Sequence, residues 1–138
     1  MTLVGTEDAL TRITFADVRH DLDGSAPVLE QAAGELEEYF AGKRREFTVP
    51  LAPRGTEFQR KVWTALQEVP YGTTVSYKDI AVRIGKPGAA IAVGQANKWN
   101  PIPIIIPCHR VIGANGKLVG YTGGMHIKEA LLAVEGIC

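Results

Sequence analysis

The sequence predicts an α/β N-terminal region followed by a mostly helical C-terminal region that contains a helix-turn-helix. Three observations support this prediction: short alternating apolar runs at the start, helical spacing of apolar residues later, and the segment "REFTVPLAPRG" (residues 45–55) between them. A chain of 138 residues can hold one ordinary domain or two small ones that share a core. We therefore predict two domains, residues 1–54 and residues 55–138.

The N-terminal region is predicted to form a short antiparallel sheet and one helix. "TLVG" and "LTRITFADV" alternate in the manner of strands around a turn at Glu7 and Asp8. "SAPVLEQAAGELEEYFAGK" (residues 25–43) carries apolar residues three and four positions apart, and Gly42 supplies a stop. "REFTVPLAPRG" predicts a further strand that leads into the linker.

Two capping boxes mark helix starts in the C-terminal region. Thr56 with Gln59 begins one helix, and Ser76 with Asp79 begins a second, shorter one. After the turn "GKPG", the segment "AAIAVGQANK" predicts a third helix rich in small residues. Two short helices joined by a four-residue turn with glycine fit a helix-turn-helix, although many ordinary helical corners share that pattern.

The remaining segments predict an extended stretch, a hairpin and a last helix. "PIPIIIP", which ends at Pro107, combines β-branched residues with prolines and is expected to be extended and buried. "VIGANGKLVG" predicts a hairpin, because Asn115 and Gly116 suit a turn with positive φ at both central positions. The glycines at 123–124 precede a helix predicted over roughly residues 126–134.

Composition narrows the classes of protein to which the chain can belong. It is 46% hydrophobic and 22% charged, which is typical of a folded, water-soluble protein. No apolar run approaches the roughly 20 residues of a membrane helix, and no secretory signal opens the chain. The two cysteines could form a disulfide, but without an export signal we expect both to be reduced in the cytoplasm.

Charge is unevenly distributed along a chain whose formal net charge is zero. Residues 1–50 contain ten acidic and five basic side chains, whereas residues 81–128 contain six basic side chains and no acidic one. This acid-free stretch indicates either a face that binds a polyanion or a chance cluster on a solvated surface. Charge alone does not separate the two interpretations.

Cys108 lies in the run "PCHRV", where three neighbours favour a reactive thiolate. Pro107 stiffens the turn, and His109 with Arg110 makes the surroundings electropositive. The apolar segment before Cys108 would keep water from a soft nucleophile. The plainer interpretation is a buried cysteine that acts as a small hydrophobic residue. A thiolate in such surroundings attacks carbon, and spacing alone leaves open whether that carbon belongs to an acyl or an alkyl group.

"PCHRV", with "NPIPIII" before it and "GYTGG" after it, resembles the active-site signature of the O6-alkylguanine-DNA alkyltransferases. The similarity continues through "GTEFQRKVWTALQEVPYGTTVSYKDIA" and "KEALLAVEG", so that it covers roughly residues 55–136 closely. Residues 1–54 more loosely resemble the family's RNase H-like α/β domain. The family has an earlier strand with a Ser-Pro-Leu-Gly-like turn, which this sequence lacks. We therefore expect either a truncated reading frame or a smaller sheet without its first strand.

The resemblance implies roles for five residues. Cys108 matches the acceptor that takes the alkyl group from the guanine oxygen, and His109 matches the base that draws the thiol proton through a water. Glu135 matches the carboxylate that orients this histidine. Tyr77 matches the tyrosine that helps guanine leave as a neutral species, and Asn100 matches a hinge asparagine. Plainer interpretations are helix-end packing for Tyr77, a solvated acid for Glu135 and a turn former for Asn100.

The resemblance also implies double-stranded DNA that contains O6-alkylguanine, and by extension O4-alkylthymine, as the substrate. The damaged base would rotate out of the duplex, with the second helix of the motif in the minor groove. Tyr121 and Thr122 match the loop that closes over the flipped base. The acid-free stretch, with Arg110 and Lys128 among its cations, would hold the phosphates. Small residues on the helix would allow close approach, unless they serve helix packing: Ala89, Ala90, Ala92 and Gly94.

Two departures from the family pattern lead to further predictions. Ile91 stands where the family usually has an arginine that fills the space left by the flipped nucleotide. An apolar side chain can wedge between bases but cannot hydrogen-bond the orphaned partner, so weaker repair of duplex DNA is expected. The metal-binding residues of some relatives are absent, and His20, His126 and Cys138 have no ligand spacing. No metal and no cofactor are therefore predicted.

Four functions compete on these features. The leading interpretation is a monomeric, single-turnover alkyltransferase that repairs DNA and ends with a permanently alkylated Cys108. An alkyltransferase-like lesion sensor requires that Ile91 or the short N-terminus disable the chemistry, since such sensors lack the acceptor cysteine. A helix-turn-helix regulator would have no use for "PCHRV". A cysteine hydrolase would turn over many times, because hydrolysis regenerates its thiol.

Overall fold

The computed structural model describes residues 2–6, 8–14, 27–113 and 125–136. Its strands are β1 (Thr2–Gly5), β2 (Leu10–Thr14), β3 (Val75–Ser76) and β4 (Val111–Ile112). Its helices are α1 (Pro27–Phe40), α2 (Glu57–Gln67), α3 (Tyr77–Arg83), α4 (Ala90–Lys98) and α5 (Met125–Val134), and a 3₁₀ turn spans Cys108–Arg110. The predicted order of an α/β region and a mostly helical region is confirmed. None of the helices in the described ranges is long and apolar enough to span a membrane.

The N-terminal sheet consists of β1 and β2, which pair antiparallel as predicted. Before β2, the hydroxyl of Thr6 accepts hydrogen bonds from the amides of Asp8 and Ala9, both at 3.2 Å, which sets the turn. The helix α1 packs on these strands and ends before Gly42, whose φ of 74° allows the left-handed conformation of a helix stop. The helix and its stop agree with the apolar spacing of residues 25–43.

The strand predicted within residues 45–55 is wrong. The only pairing there, within the described residues, is an isolated bridge between Leu51 and Leu10. Glu35 explains the difference, because its buried carboxylate accepts the backbone amides of Thr48 (2.8 Å) and Val49 (3.1 Å). A side chain of α1 thus takes the hydrogen bonds that a neighbouring strand would otherwise supply.

Both predicted capping boxes are present. The side chain of Thr56 accepts from the amide of Gln59, and Gln59 returns a hydrogen bond to the amide of Thr56. Ser76 and Asp79 do the same at the start of α3. The helices α3 and α4 pack against each other across a turn in which Gly85 has a φ of 77°. These are the two helices that the sequence placed in the helix-turn-helix.

One hydrophobic core extends across the predicted domain boundary. It joins residues of α1 and β2 to residues of α2, α4 and the segment 102–106. The amide of Ile13 in β2 also donates to the carbonyl of Pro101 at 2.8 Å. The first region therefore supports the segment that leads to Cys108. Members of this shared core include Leu10, Ile13, Leu36, Tyr39, Val62, Trp63, Leu66, Val93 and Ile106.

The segment "PIPIIIP" is buried as predicted, but it is not extended. It forms turns in which the amide of Ile106 donates to the carbonyl of Ile102 (3.0 Å) and Ile104 has a φ of 74°. A β-branched residue rarely adopts this left-handed conformation, and here tight packing holds it, since Ile104 is buried. Prolines at 101 and 103 lack the amides a strand would use. The hairpin predicted at Asn115 and Gly116 lies outside the described residues.

Candidate active site

Cys108 lies at the start of the 3₁₀ turn and is fully buried. Its amide donates to the carbonyl of Ile106 at 2.7 Å. Asn100 fixes the preceding segment at both ends: its Nδ2 donates to that same Ile106 carbonyl (2.8 Å), and its Oδ1 accepts the amide of Ile102 (2.9 Å). The structure thus places Asn100 as a brace between the end of α4 and the Cys108 turn, in line with the hinge role that the resemblance implies.

Asn97 is a second brace that the sequence reasoning missed. Its Nδ2 donates to the carbonyl of Cys108 at 3.4 Å, from a buried position in the last turn of α4. The signal was available in the sequence, because an asparagine at a core-facing helical position needs a buried hydrogen-bond partner. Asn97 in the last turn of α4 and Asn100 just after the helix therefore both hold the turn that carries the thiol.

His109 and Glu135 form a buried pair directly beside Cys108. Nε2 of His109 lies 2.5 Å from Oε2 of Glu135, and both side chains are shielded from solvent. Burial lowers the pKa of His109, and the neighbouring positive charges of Arg110 and Lys128 add to this, although Glu135 opposes it. The imidazole is therefore neutral near pH 7. Its Nδ1 is buried and has no hydrogen-bond partner among the described residues, so it is placed to accept a proton.

Glu135 is buried, which excludes the interpretation as a solvated acid. Its carboxylate accepts hydrogen bonds from four residues. Besides His109, the donors are Arg110 through Nε (2.8 Å) and Nη2 (3.1 Å), the amide of Gly72 (3.1 Å) and the hydroxyl of Tyr39 (2.5 Å). Burial alone would raise the pKa of Glu135, but the hydrogen bonds from His109, Arg110 and Tyr39 lower it to about 2. Glu135 is therefore an ionised carboxylate at neutral pH.

The prediction that Arg110 and Lys128 hold DNA phosphates is wrong, because both side chains are buried. Arg110 binds Glu135 and donates through Nη1 to the carbonyl of Val69 at 2.8 Å. Nζ of Lys128 donates to the carbonyl of Val111 at 2.6 Å. Burial lowers the pKa of Lys128, whereas the negative charge that Cys108 carries when it ionises raises it. Both cations stabilise the site from inside.

Tyr77 is brought to the site by a short parallel pairing. Val75 and Ser76 of β3 pair with Val111 and Ile112 of β4, so that α3 starts next to the Cys108 turn. Burial raises the pKa of the half-buried Tyr77, and the charge of Cys108 raises it further. The phenol therefore keeps its proton at neutral pH and is a hydrogen-bond donor.

The helix α4 and the residues at its two ends carry small side chains, with two large and exposed apolar exceptions. Ala89, Ala90 and Gly94 are half-buried and Ala92 is exposed. A Cβ on Gly94 would only touch the ring of Tyr77 at 4.0 Å, so helix packing does not require glycine there. Ile91 is 84% exposed and Trp99, which the sequence reasoning did not single out, is 64% exposed. Tyr121 and Thr122 lie outside the described residues.

The chemistry that this arrangement supports is that of a buried thiol with a neutral imidazole base. Within the described ranges, no cluster of three or more histidine, cysteine, aspartate or glutamate side chains could hold a metal ion. The thiol is held on a rigid turn, and the base is oriented by a carboxylate that is itself fixed by further donors. This is the arrangement of an activated cysteine nucleophile.

Two family profiles together match nearly the whole chain. The profile of the DNA-binding domain of 6-O-methylguanine DNA methyltransferase matches residues 57–137. The profile of the ribonuclease-like domain of 6-O-methylguanine DNA methyltransferase matches residues 1–53.

Proteins that are similar to this chain in sequence or in structure include methyltransferases that act on DNA. The chain is 51% identical over 142 residues to a methylated-DNA–protein-cysteine methyltransferase of Methanosarcina acetivorans, with 99% of this chain and 91% of that protein covered. The crystal structure of Mycobacterium tuberculosis OGT in complex with DNA has a TM-score of 0.87 and 50% identity, covering 96% of this chain and 84% of that chain. S. pombe Atl1, in complex with damaged DNA containing O6-carboxymethylguanine, has a TM-score of 0.54 and 36% identity, covering 60% of this chain and 79% of that chain.

Proposed function

This chain belongs to the 6-O-methylguanine DNA methyltransferase family, and we propose that it repairs O6-alkylguanine in double-stranded DNA by one transfer of the alkyl group to Cys108. The matches confirm the resemblance carried by "PCHRV", and the activity is that of a methylated-DNA–protein-cysteine methyltransferase. The observation that supports Cys108 as the acceptor is the buried His109–Glu135 pair, which follows it directly.

The transfer is a displacement at the alkyl carbon. Nδ1 of His109 takes the thiol proton through a water molecule, and the nearby Glu135 carboxylate stabilises the imidazolium. Sγ of Cys108 bonds to the alkyl carbon as the bond from that carbon to the guanine oxygen breaks. Tyr77 gives its proton to the guanine, which leaves as a neutral base, and regains a proton from solvent. The thioether is not hydrolysed, so each molecule reacts once.

The burial of Cys108 supports a mechanism in which the base leaves the duplex. We expect the damaged guanine, or an O4-alkylthymine, to rotate out of the duplex and into the site, because a base stacked inside DNA cannot reach a buried thiol. The small residues of α4 allow close approach to the minor groove, and the family resemblance implies that Tyr121 and Thr122 belong to the loop that closes over the base. We expect a monomer that acts in the cytoplasm without cofactor or metal.

The stoichiometry of the product tests this function. Intact mass after incubation with excess duplex DNA containing O6-methylguanine should increase by one methyl group, carried on the Cys108 peptide. Repair should stop at one equivalent, because no step regenerates the thiol. Continued turnover with an unmodified protein would instead indicate a hydrolase, and an unmodified protein without repair would indicate a sensor or a regulator.

The substitution Ile91→Arg is expected to increase the rate of duplex repair by about tenfold. Ile91 is exposed on α4, where an arginine could fill the gap and hydrogen-bond the unpaired base, which isoleucine cannot do. The rate with free O6-benzylguanine should be unchanged, because a free base needs no rotation out of a duplex. The measurement is the single-turnover rate of Ile91→Arg and of wild type with duplex DNA and with free O6-benzylguanine.

A matched control for Ile91→Arg is Val82→Arg, which adds the same charge at an exposed apolar position on α3. An equal gain in both variants would mean that added charge alone improves DNA binding. No gain in Ile91→Arg would contradict the role assigned to position 91.

The second candidate function is lesion sensing with little or no repair of duplex DNA. Two observations favour it: the exposed Ile91, and the similarity to S. pombe Atl1 bound to damaged DNA. The presence of Cys108 argues against it, since the complete Cys108, His109 and Glu135 arrangement would then have no use. The mass experiment separates the two candidates.

A further inference from the structure

We propose that Tyr39, on α1 of the N-terminal region, is a positioning residue for the transfer reaction that acts on His109 through Glu135. The inference rests on the proposed function of His109 as the base. It assigns to the N-terminal region a direct part in the chemistry, in addition to its contribution to the core.

The geometry places Tyr39 on the same carboxylate oxygen that His109 uses. The Tyr39 hydroxyl donates to Oε2 of Glu135 at 2.5 Å, and Nε2 of His109 lies 2.5 Å from that oxygen. Oε1 accepts from the amide of Gly72 and from Nε of Arg110, and Nη2 of Arg110 makes a longer bond, at 3.1 Å, to Oε2. Tyr39 and His109 therefore compete for the electron density of Oε2, whereas most of the other donors bind Oε1.

Aromatic packing holds the Tyr39 hydroxyl in this position. The residue is fully buried, and its ring packs against Phe47 at 5.5 Å and edge-on against Tyr71 at 6.1 Å. Burial raises the pKa of the phenol, and the Glu135 carboxylate raises it further. Tyr39 is thus a fixed, neutral donor across the boundary between the two regions.

The consequence for His109 has a definite sign. A donor on Oε2 reduces the negative charge that Glu135 offers to His109, which disfavours the imidazolium and keeps the base neutral. Removing the donor strengthens the His109–Glu135 interaction and raises the pH at which His109 becomes neutral. Among the described residues, the other titratable or charged groups next to this pair are Cys108 and Arg110 on the 3₁₀ turn, Lys128 on α5 and Tyr71 after α2.

The test compares Tyr39→Phe with wild type in the full chain. Single-turnover transfer at saturating duplex DNA is measured from about pH 5 to about pH 9. We expect the acidic limb of the profile to move to higher pH, with a loss of about two- to tenfold on that limb that fades at the pH where the wild-type rate reaches its plateau. DNA affinity should be unchanged, because Tyr39 is buried.

Tyr71→Phe is the matched control. Tyr71 is the neighbouring aromatic, and its hydroxyl donates to the backbone carbonyl of Val134 at 3.0 Å, not to the carboxylate. The substitution Tyr71→Phe removes one phenol hydroxyl next to the site, and the pH profile of this variant should keep the shape of the wild-type profile. An equal shift of the acidic limb in both variants would mean that altered packing, and not the loss of the Tyr39–Glu135 hydrogen bond, causes the shift.

A second measurement does not depend on the reaction. The imidazole of His109 is titrated by NMR in the DNA-free protein, with His109→Gln used to assign the signal, and should become neutral at higher pH in Tyr39→Phe. An unchanged titration together with a superimposable or uniformly lowered rate profile would overturn the proposal. Failure of wild type to transfer any alkyl group would instead refute the proposed function, and the titration would still decide the role of Tyr39.

Discussion

Replacing Cys108 with serine is expected to abolish alkyl transfer while duplex DNA is still bound. The hydroxyl of serine remains protonated where a thiol ionises, and it is a far weaker nucleophile toward carbon. We expect the rate of transfer to fall by at least about 10⁴-fold, the scale on which loss of an enzyme's nucleophile reduces its rate. The fold should persist, because serine is the smaller residue and the turn is fixed by Asn100 and the backbone of Ile106.

The measurement combines repair with binding. Transfer of a labelled methyl group from duplex DNA to protein should be undetectable in Cys108→Ser, and the affinity for the same DNA should stay within about twofold of wild type. Cys138→Ser is the matched control, as the same exchange at the second cysteine, and should retain full transfer. Residual methylation of the Cys108→Ser protein would place the acceptor elsewhere.

Residues that act locally were predictable from the sequence. The capping boxes at Thr56 and Ser76 need only residues within one helical turn, and both are present. The run "PCHRV" predicted Cys108 and His109 as candidate site residues, since neighbours in sequence are neighbours on the turn. Asn100 was predicted through the resemblance, and the structure shows two buried hydrogen bonds from its side chain to the segment before Cys108.

Residues whose role depends on distant partners were not predictable in the same way. Whether a cation faces DNA or an internal carboxylate is decided by burial, so the charge pattern misplaced Arg110 and Lys128. Tyr39 was only a member of an apolar stripe, because its partner Glu135 lies 96 positions away. The strand predicted near Thr48 is absent for the same reason, because the backbone amides of Thr48 and Val49 donate to the distant Glu35 on α1.

Glu135→Gln is expected to lower both the stability of the fold and the rate of transfer. Glutamine keeps the shape but offers one acceptor oxygen and an amide group that itself donates, to a site whose partners are all donors. Arg110 would remain buried without its anionic partner, which typically costs about 3–5 kcal/mol in the free energy of unfolding. His109 would lose the charge that stabilises its imidazolium, so transfer should slow by about 10²- to 10⁴-fold.

The loss of stability should depend on pH with a sign that follows from the pKa of Glu135. Since the folded value is lowered to about 2, the unfolded chain binds the proton more tightly, and the carboxylate stabilises the fold above its ordinary pKa. This contribution, about 3 kcal/mol at neutral pH, is lost as pH falls from about 4.5 toward about 2. His109 acts in the same direction, because its lowered pKa makes protonation below about pH 6.5 favour the unfolded chain.

Denaturant unfolding over this pH range therefore distinguishes a charge effect from a packing effect. The difference in unfolding free energy between wild type and Glu135→Gln should be largest near pH 7 and should shrink as pH approaches 3. The control is Glu35→Gln, which removes another buried, hydrogen-bonded carboxylate whose bonds go to Thr48 and Val49, and which should cost about 1–3 kcal/mol without slowing transfer by the folded protein. A difference for Glu135→Gln that stays constant with pH would show that shape, and not the buried negative charge, is what Glu135 contributes.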